Sequence, residues 1–96
     1  MYARTSTWTG TPEALESWIR HVTEKVGPMV ASLPDNGGGY FFIDREQGRA
    51  LTLTLWTSKA AALKSDEAAE KSRESTVAAT GVQLLERGRF ELVDKV

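Results

Sequence analysis

The chain has 96 residues, 41% of them hydrophobic and 26% charged, with a formal net charge of −1 and no cysteine. That composition is ordinary for a soluble globular protein. The near-neutral charge gives no electrostatic basis for binding nucleic acid or an anionic membrane, and the lack of cysteine excludes disulfides and thiolate sites.

No stretch approaches the roughly 18 apolar residues of a membrane span. Met1–Trp8 lacks the basic-then-apolar order of a signal peptide, so a cytoplasmic location is expected. One domain over residues 1–96 is expected, and a domain this short buries only about 60–65% of the surface its unfolded chain exposes. A core that thin gains from a partner subunit.

Tyr2–Trp8, rich in Thr and aromatics and stopped by Thr9-Gly10, predicts the first strand. Thr11 can cap a helix whose first position is Pro12, with Glu13 and Glu16 at the positive end of its dipole. Leu15, Trp18, Ile19, Val22, Val26, Met29, Val30 and Leu33 recur at three- and four-residue steps, an apolar stripe. Gly27-Pro28 interrupts the stripe without changing its phase, which predicts a kinked helix. Pro34–Gly39 reads as a flexible turn: its three glycines fit no dinucleotide or phosphate-loop spacing, and a strand follows.

Tyr40–Asp44 predicts the second strand, Arg45–Gly48 a hairpin loop, and Arg49–Trp56 the third strand. In the third strand Leu51, Leu53 and Leu55 alternate with Thr52, Thr54 and Trp56, giving two unlike faces. Ser58 caps the next helical segment, and Ser65-Asp66-Glu67 reads as a fresh cap that divides it in two. Ala68, Ala69, Ser72, Ser75, Thr76 and Ala79 give the second piece a small-residue face, and Gly81 ends it. Val82–Leu85 and Phe90–Val93, with Arg87-Gly88 between them, predict a long or bulged closing strand.

The order β-α-β-β-α-β predicts an α+β, ferredoxin-like sandwich: a four-stranded antiparallel sheet, first and third strands central, helices on one face. The Leu face of the third strand is expected under the helices. The Thr52, Thr54, Trp56 face is then left open, together with Arg4, Ser6 and Trp8, for a second copy to cover.

On these features the chain resembles the dimeric α+β barrel superfamily, in particular its antibiotic-biosynthesis-monooxygenase-like (ABM) domains. The likeness is carried by the Thr-rich first strand ending at Thr9-Gly10, the junction Leu53–Ser58, the step Leu63-Lys64-Ser65-Asp66 and the closing stretch Gly81–Val93. It implies a homodimer joined through its sheets, with a pocket in each half. Active members of the family oxidise polycyclic aromatic compounds without metal or flavin, or degrade haem. Leu63, Arg73 and Thr5 or Thr7 stand where haem-degrading members carry Trp, His and Asn, which argues against haem degradation here. Asn36, the sole Asn, lies in a loop, so the pocket Asn of the cofactor-free members has no counterpart.

Few side chains of the chain could carry chemistry. His21 is the only histidine and falls at the edge of the apolar stripe, and one imidazole is not a metal site. Arg4, mid-strand, needs a partner if buried: a carboxylate of the other subunit, or an anionic oxygen of a ligand, which would make it the candidate catalytic residue. Trp8, Tyr40, Phe42, Thr52, Thr54 and Trp56 are the candidate pocket lining. No Ser or Thr has a matched His and Asp. The expectation is a cofactor-independent monooxygenase acting on an aromatic small molecule, with no metal or other cofactor. The alternative is a non-catalytic module for small-ligand binding or dimerisation.

Overall fold

The computed structural model describes residues 1–96. Four antiparallel strands, β1 (Tyr2–Thr9), β2 (Asn36–Asp44), β3 (Arg49–Trp56) and β4 (Gln83–Glu91), form one sheet in the order β2-β3-β1-β4. The first and third strands are the central pair, as expected of the ferredoxin-like sandwich. Between β1 and β2 the chain runs through α1 (Pro12–His21), a π-helical turn (Val22–Val26) and α2 (Gly27–Ser32). Between β3 and β4 it runs through α3 (Lys59–Lys64) and α4 (Asp66–Thr80). No helix is long and apolar enough to cross a membrane.

The local signals act as their chemistry dictates. The Thr11 side chain accepts from the Ala14 N–H, and Pro12 occupies the first turn where no N–H is needed. The interruption at Gly27-Pro28 is absorbed by the π turn: the Gly27 N–H donates to the Val22 carbonyl, five residues back. Gly81 closes α4 in the left-handed conformation at φ 83°.

Four expectations are corrected. β2 begins at Asn36, not at Tyr40. The turn is shorter, centred on Asp35 at φ 63°, and the glycines pair with β3 around a bulge at Gly37. A Cβ on Gly37 would lie 2.6 Å from Met1 Cε and 3.2 Å from Leu55 Cβ, so close approach is what the glycine permits there. β4 spans Gln83–Glu91 rather than Val82–Val93, and the bulge expected in it falls at Leu85, because Trp8 pairs with Leu84 and Thr7 with Glu86. Ser65 does separate two helices, but its hydroxyl caps neither; it bonds to Arg4 and to the Ala62 carbonyl.

The fourth correction concerns the faces. Thr52, Thr54 and Trp56 lie beneath the helices together with Arg4, Ser6 and Trp8, and the Leu face is the open one. Alternation states which residues share a face but not which face is covered. Coverage is decided by the indoles. Trp8 packs with Leu15, Trp18, Val22, Val26, Val30, Ala50 and Val82 in the main core, and Trp56 with Ala61 and Ala62 in a smaller one. Both indoles are taken almost wholly out of water there, and each finds a hydroxyl acceptor on β3. Arg4, on the same face, finds its partners only under α3 and α4.

Candidate functional site

A cavity lies between the sheet and the helices. Its unfilled space, counted out to its mouth, is about 520 Å³, of which about 50 Å³ is wide enough for the centre of a water molecule. It is therefore a narrow space. β1 and β3 supply Arg4, Ser6, Trp8, Thr52, Thr54 and Trp56 as its floor. The α1–α2 run supplies Trp18, Val22, Val26, Met29, Val30 and Leu33, and the small-residue face of α4 supplies Ala69, Ser72 and Thr76 beside Arg73.

The floor is held rigidly. The Trp8 indole N–H donates to Thr52 Oγ1 at 3.1 Å, and the Trp56 indole N–H donates to Thr54 Oγ1 at 3.1 Å. The alternating threonines thus satisfy the indoles beside them. Arg4, buried, donates to Ser65 Oγ at 2.6 Å, to the Ala62 carbonyl and to the Asp66 carboxylate. Its guanidinium carbon also lies 5.8 Å from the Trp56 ring centre, a cation–π distance. Burial lowers the Arg4 pKa, and the Asp66 charge opposes that shift. The carboxylate expected from another subunit is therefore one from this same chain.

Two buried side-chain nitrogens have no hydrogen-bond partner, Trp18 Nε1 and Arg73 Nε. Both residues line the cavity. Arg73 Nη2 is bonded to Glu70 Oε2 at 2.6 Å, and that oxygen also accepts from Arg87 at 3.0 Å. This pairing with Arg73, then Arg87, holds the Glu70 carboxyl below its ordinary pKa. Arg4 and Arg73 also line a second, wholly polar groove with Asp66, Glu70, Arg87 and Arg89, so the cavity and the groove meet at these two arginines.

Of the residues singled out from sequence, Arg4, Trp8, Thr52, Thr54 and Trp56 are brought together. Tyr40 and Phe42 are not. They pair with Leu53 and Leu51, stack on each other at 6.5 Å between ring centres, and stand half exposed on the open face. It is their neighbour Phe41 that turns inward, its ring edge-on to Trp18 at 6.3 Å. His21 lies apart from the cavity's lining, in a shallow groove with Lys25, Met29 and Lys71, and burial followed by the Lys25 charge lowers its pKa. No group of three or more His, Cys, Asp or Glu side chains is placed to hold a metal ion.

Sequence reasoning missed Trp18 and Arg73 as cavity residues. Trp18 sits on the apolar stripe and reads as core. Arg73 is set among charges that read as a solvated face, although its neighbours Ser72 and Thr76 on the small-residue face were a signal.

No protein-family profile matches the sequence, and no curated protein matches it. Solved structures share the fold. A monooxygenase of Streptomyces coelicolor, crystallised with the ligand nanaomycin D, superposes with a TM-score of 0.77 at 11% identity, over 99% of this chain and 89% of that one. SnoaB, a cofactor-independent oxygenase of Streptomyces nogalater, gives 0.67 at 16% identity, over 99% and 95%. A dimeric ferredoxin-like protein from an uncultured marine organism gives 0.72 at 12% identity, over 100% and 98%. The fold is the one these proteins share, which agrees with the resemblance read from sequence.

Proposed function

We propose that this chain is a cofactor-independent monooxygenase that oxidises an aromatic small molecule in the cavity between sheet and helices, and that it works as a homodimer. The observation that carries the reading is the floor of the cavity, where the buried cation Arg4, with Trp56 beside it, shares one sheet face with Trp8. The indoles suit a flat, electron-rich ring system, and because the space is narrow such a ring enters only as the α1–α2 run moves away from the sheet. The fold shared with a monooxygenase and a cofactor-independent oxygenase supports it.

The chemistry is constrained by what lines the cavity. Arg4 and Arg73 are the only charged side chains there, and neither is a general base. A substrate must therefore be acidic enough to ionise to bulk solvent once its anion is stabilised by positive charge. An anthrone-type methylene meets that demand. Loss of a proton gives an electron-rich anion, and Arg4 contributes its charge from the floor. Dioxygen takes electrons from that anion. One oxygen atom becomes the new carbonyl, the other leaves as water, and the CH₂ group ends as C=O. The substrate supplies the electrons.

The dimer reading rests on the open face. Tyr40, Phe42 and Phe90 are 52%, 51% and 57% exposed on the same face as Leu51, Leu53 and Leu55, a run of exposed apolar side chains of the kind that marks an interaction surface. A second copy packed face to face would cover it.

Oxygen uptake with anthrone tests the reaction. One mole of O2 should be consumed per mole of anthrone, with the rate falling at least about tenfold in Arg4→Met, which keeps the side-chain volume. A second reading, a binding module without turnover, is favoured by the absence of a base in the lining. Thermal stabilisation by anthrone with no oxygen uptake would select it.

A further inference from the structure

Only two buried side-chain polar atoms lack a partner, and both are N–H donors on residues that line one cavity: Trp18 Nε1 and Arg73 Nε. A buried donor without an acceptor costs free energy, so such groups call for an explanation. Trp18 is 1% exposed and has no route to bulk water. An occupant carrying acceptor oxygens would satisfy both.

The charge around Arg73 says which oxygen is anionic. Asp66 bonds to Arg4 and Arg89, and Glu70 bonds to Arg73 and Arg87. Four guanidiniums thus share two carboxylates, an excess of two positive charges where the cavity meets the polar groove. Glu67, the third acid there, pairs with Lys71 on the exposed side of α4. Arg4 has three acceptors, whereas Arg73 keeps a buried Nε without one. The neighbouring charges of Arg73 and Arg89 add to the lowering of the Arg4 pKa, as uncompensated positive charge requires.

We infer that the cavity takes an acidic aromatic ligand, its carboxylate seated on Arg73 at the junction with the polar groove and a carbonyl or hydroxyl oxygen accepting from Trp18 Nε1. This rests on the cavity being the ligand site and specifies the chemical class it selects.

Three probes test it by calorimetry and tryptophan quenching: anthraquinone-2-carboxylate, its neutral carboxamide, and anthracene-2-carboxylate, which lacks the ring oxygens. Wild type should bind the first at least about tenfold more tightly than either of the others, as loss of a charge-assisted or a buried neutral hydrogen bond demands. Arg73→Gln should abolish the preference for carboxylate over carboxamide while leaving carboxamide affinity unchanged. Trp18→Phe should abolish the preference for the quinone over the anthracene. The wild-type comparison needs no variant, so a folding defect in either mutant does not decide the matter. Equal binding of all three probes would overturn the acidic-ligand inference and leave the cavity as a binding site. No binding by any of them would overturn both.

Discussion

Ser65 and Arg4, 61 positions apart in sequence, meet with the Ser65 hydroxyl oxygen 2.6 Å from the guanidinium. That hydroxyl also donates to the Ala62 carbonyl at 2.8 Å. The break between α3 and α4 is thereby tied to the middle of β1, and Asp66, the next residue, completes the tie by pairing with Arg4. The helix break and the buried cation are one device.

Removing Asp66 should therefore cost more than removing Arg4. Asp66→Ala leaves a buried guanidinium short of its counter-charge. Because the Asp66 side chain is 37% exposed, the cost is discounted to about 1–3 kcal/mol. Arg4→Met replaces the cation by an apolar chain and should be closer to neutral. Urea denaturation of the two variants checks this. Equal stability losses would contradict the account.

Thr52→Val and Thr54→Val should each destabilise by about 1–2 kcal/mol, because each strands an indole N–H that now has its acceptor. Trp18→Phe loses no hydrogen bond and removes an unpartnered buried donor, so its cost should be less than the lost ring volume alone would give. A neutral Thr54→Val in thermal unfolding would show that the Trp56 contact carries no net stability.

Acid should destabilise the fold in two separate windows. His21 has a folded pKa below its ordinary 6.5, so the unfolded chain takes up its proton first. The penalty begins as pH falls below 6.5 and levels off below the folded value. Glu70 has a folded pKa below its ordinary 4.5, and its stabilising contribution is present above 4.5 and lost as pH falls through the folded value. His21→Gln should flatten only the upper window in stability–pH profiles. An NMR titration of His21 with a midpoint above 6.5 would reverse the sign.

Placing a charge on the open face should separate the subunits without touching the cavity. Tyr40→Glu with Phe42→Glu should sediment as one chain of 10.6 kDa, and the parent chain as twice that mass. A parent that sediments as a single chain at micromolar concentration would remove the homodimer.

The strand and helix order was legible because each element carried its own local chemistry: Thr11-Pro12, Ser58, Gly81 and the Leu–Thr alternation. The set Arg4, Trp8, Thr52, Thr54, Trp56 was legible for the same reason, since register keeps co-facial residues together. The covered face was not. Both faces of β3 are apolar enough to bury, and the choice is made by distant partners, Trp18 above Trp8 and Asp66 above Arg4. Tyr40 and Phe42 were drawn into the wrong set because alternation within β2 does not state its register against β3, which pairs them with Leu53 and Leu51 and sets Phe41 opposite Thr52. Arg73 was hidden because a helical charge paired three residues away looks solvated until a second layer covers it.

The sheet order leaves β2 and β4 as outer strands. A face-to-face pairing of subunits would cover sheet surfaces but leave the rims free. Along β2 the rim carries Tyr40-Phe41-Phe42-Ile43, a short apolar segment of high β-propensity with backbone groups free on one side. Asp44-Arg45-Glu46 immediately follows it and puts alternating charges at its end. Charge at the end of such a segment disfavours edge-to-edge polymerisation, so neutralising these three residues, which do not line the cavity, should show first in solubility.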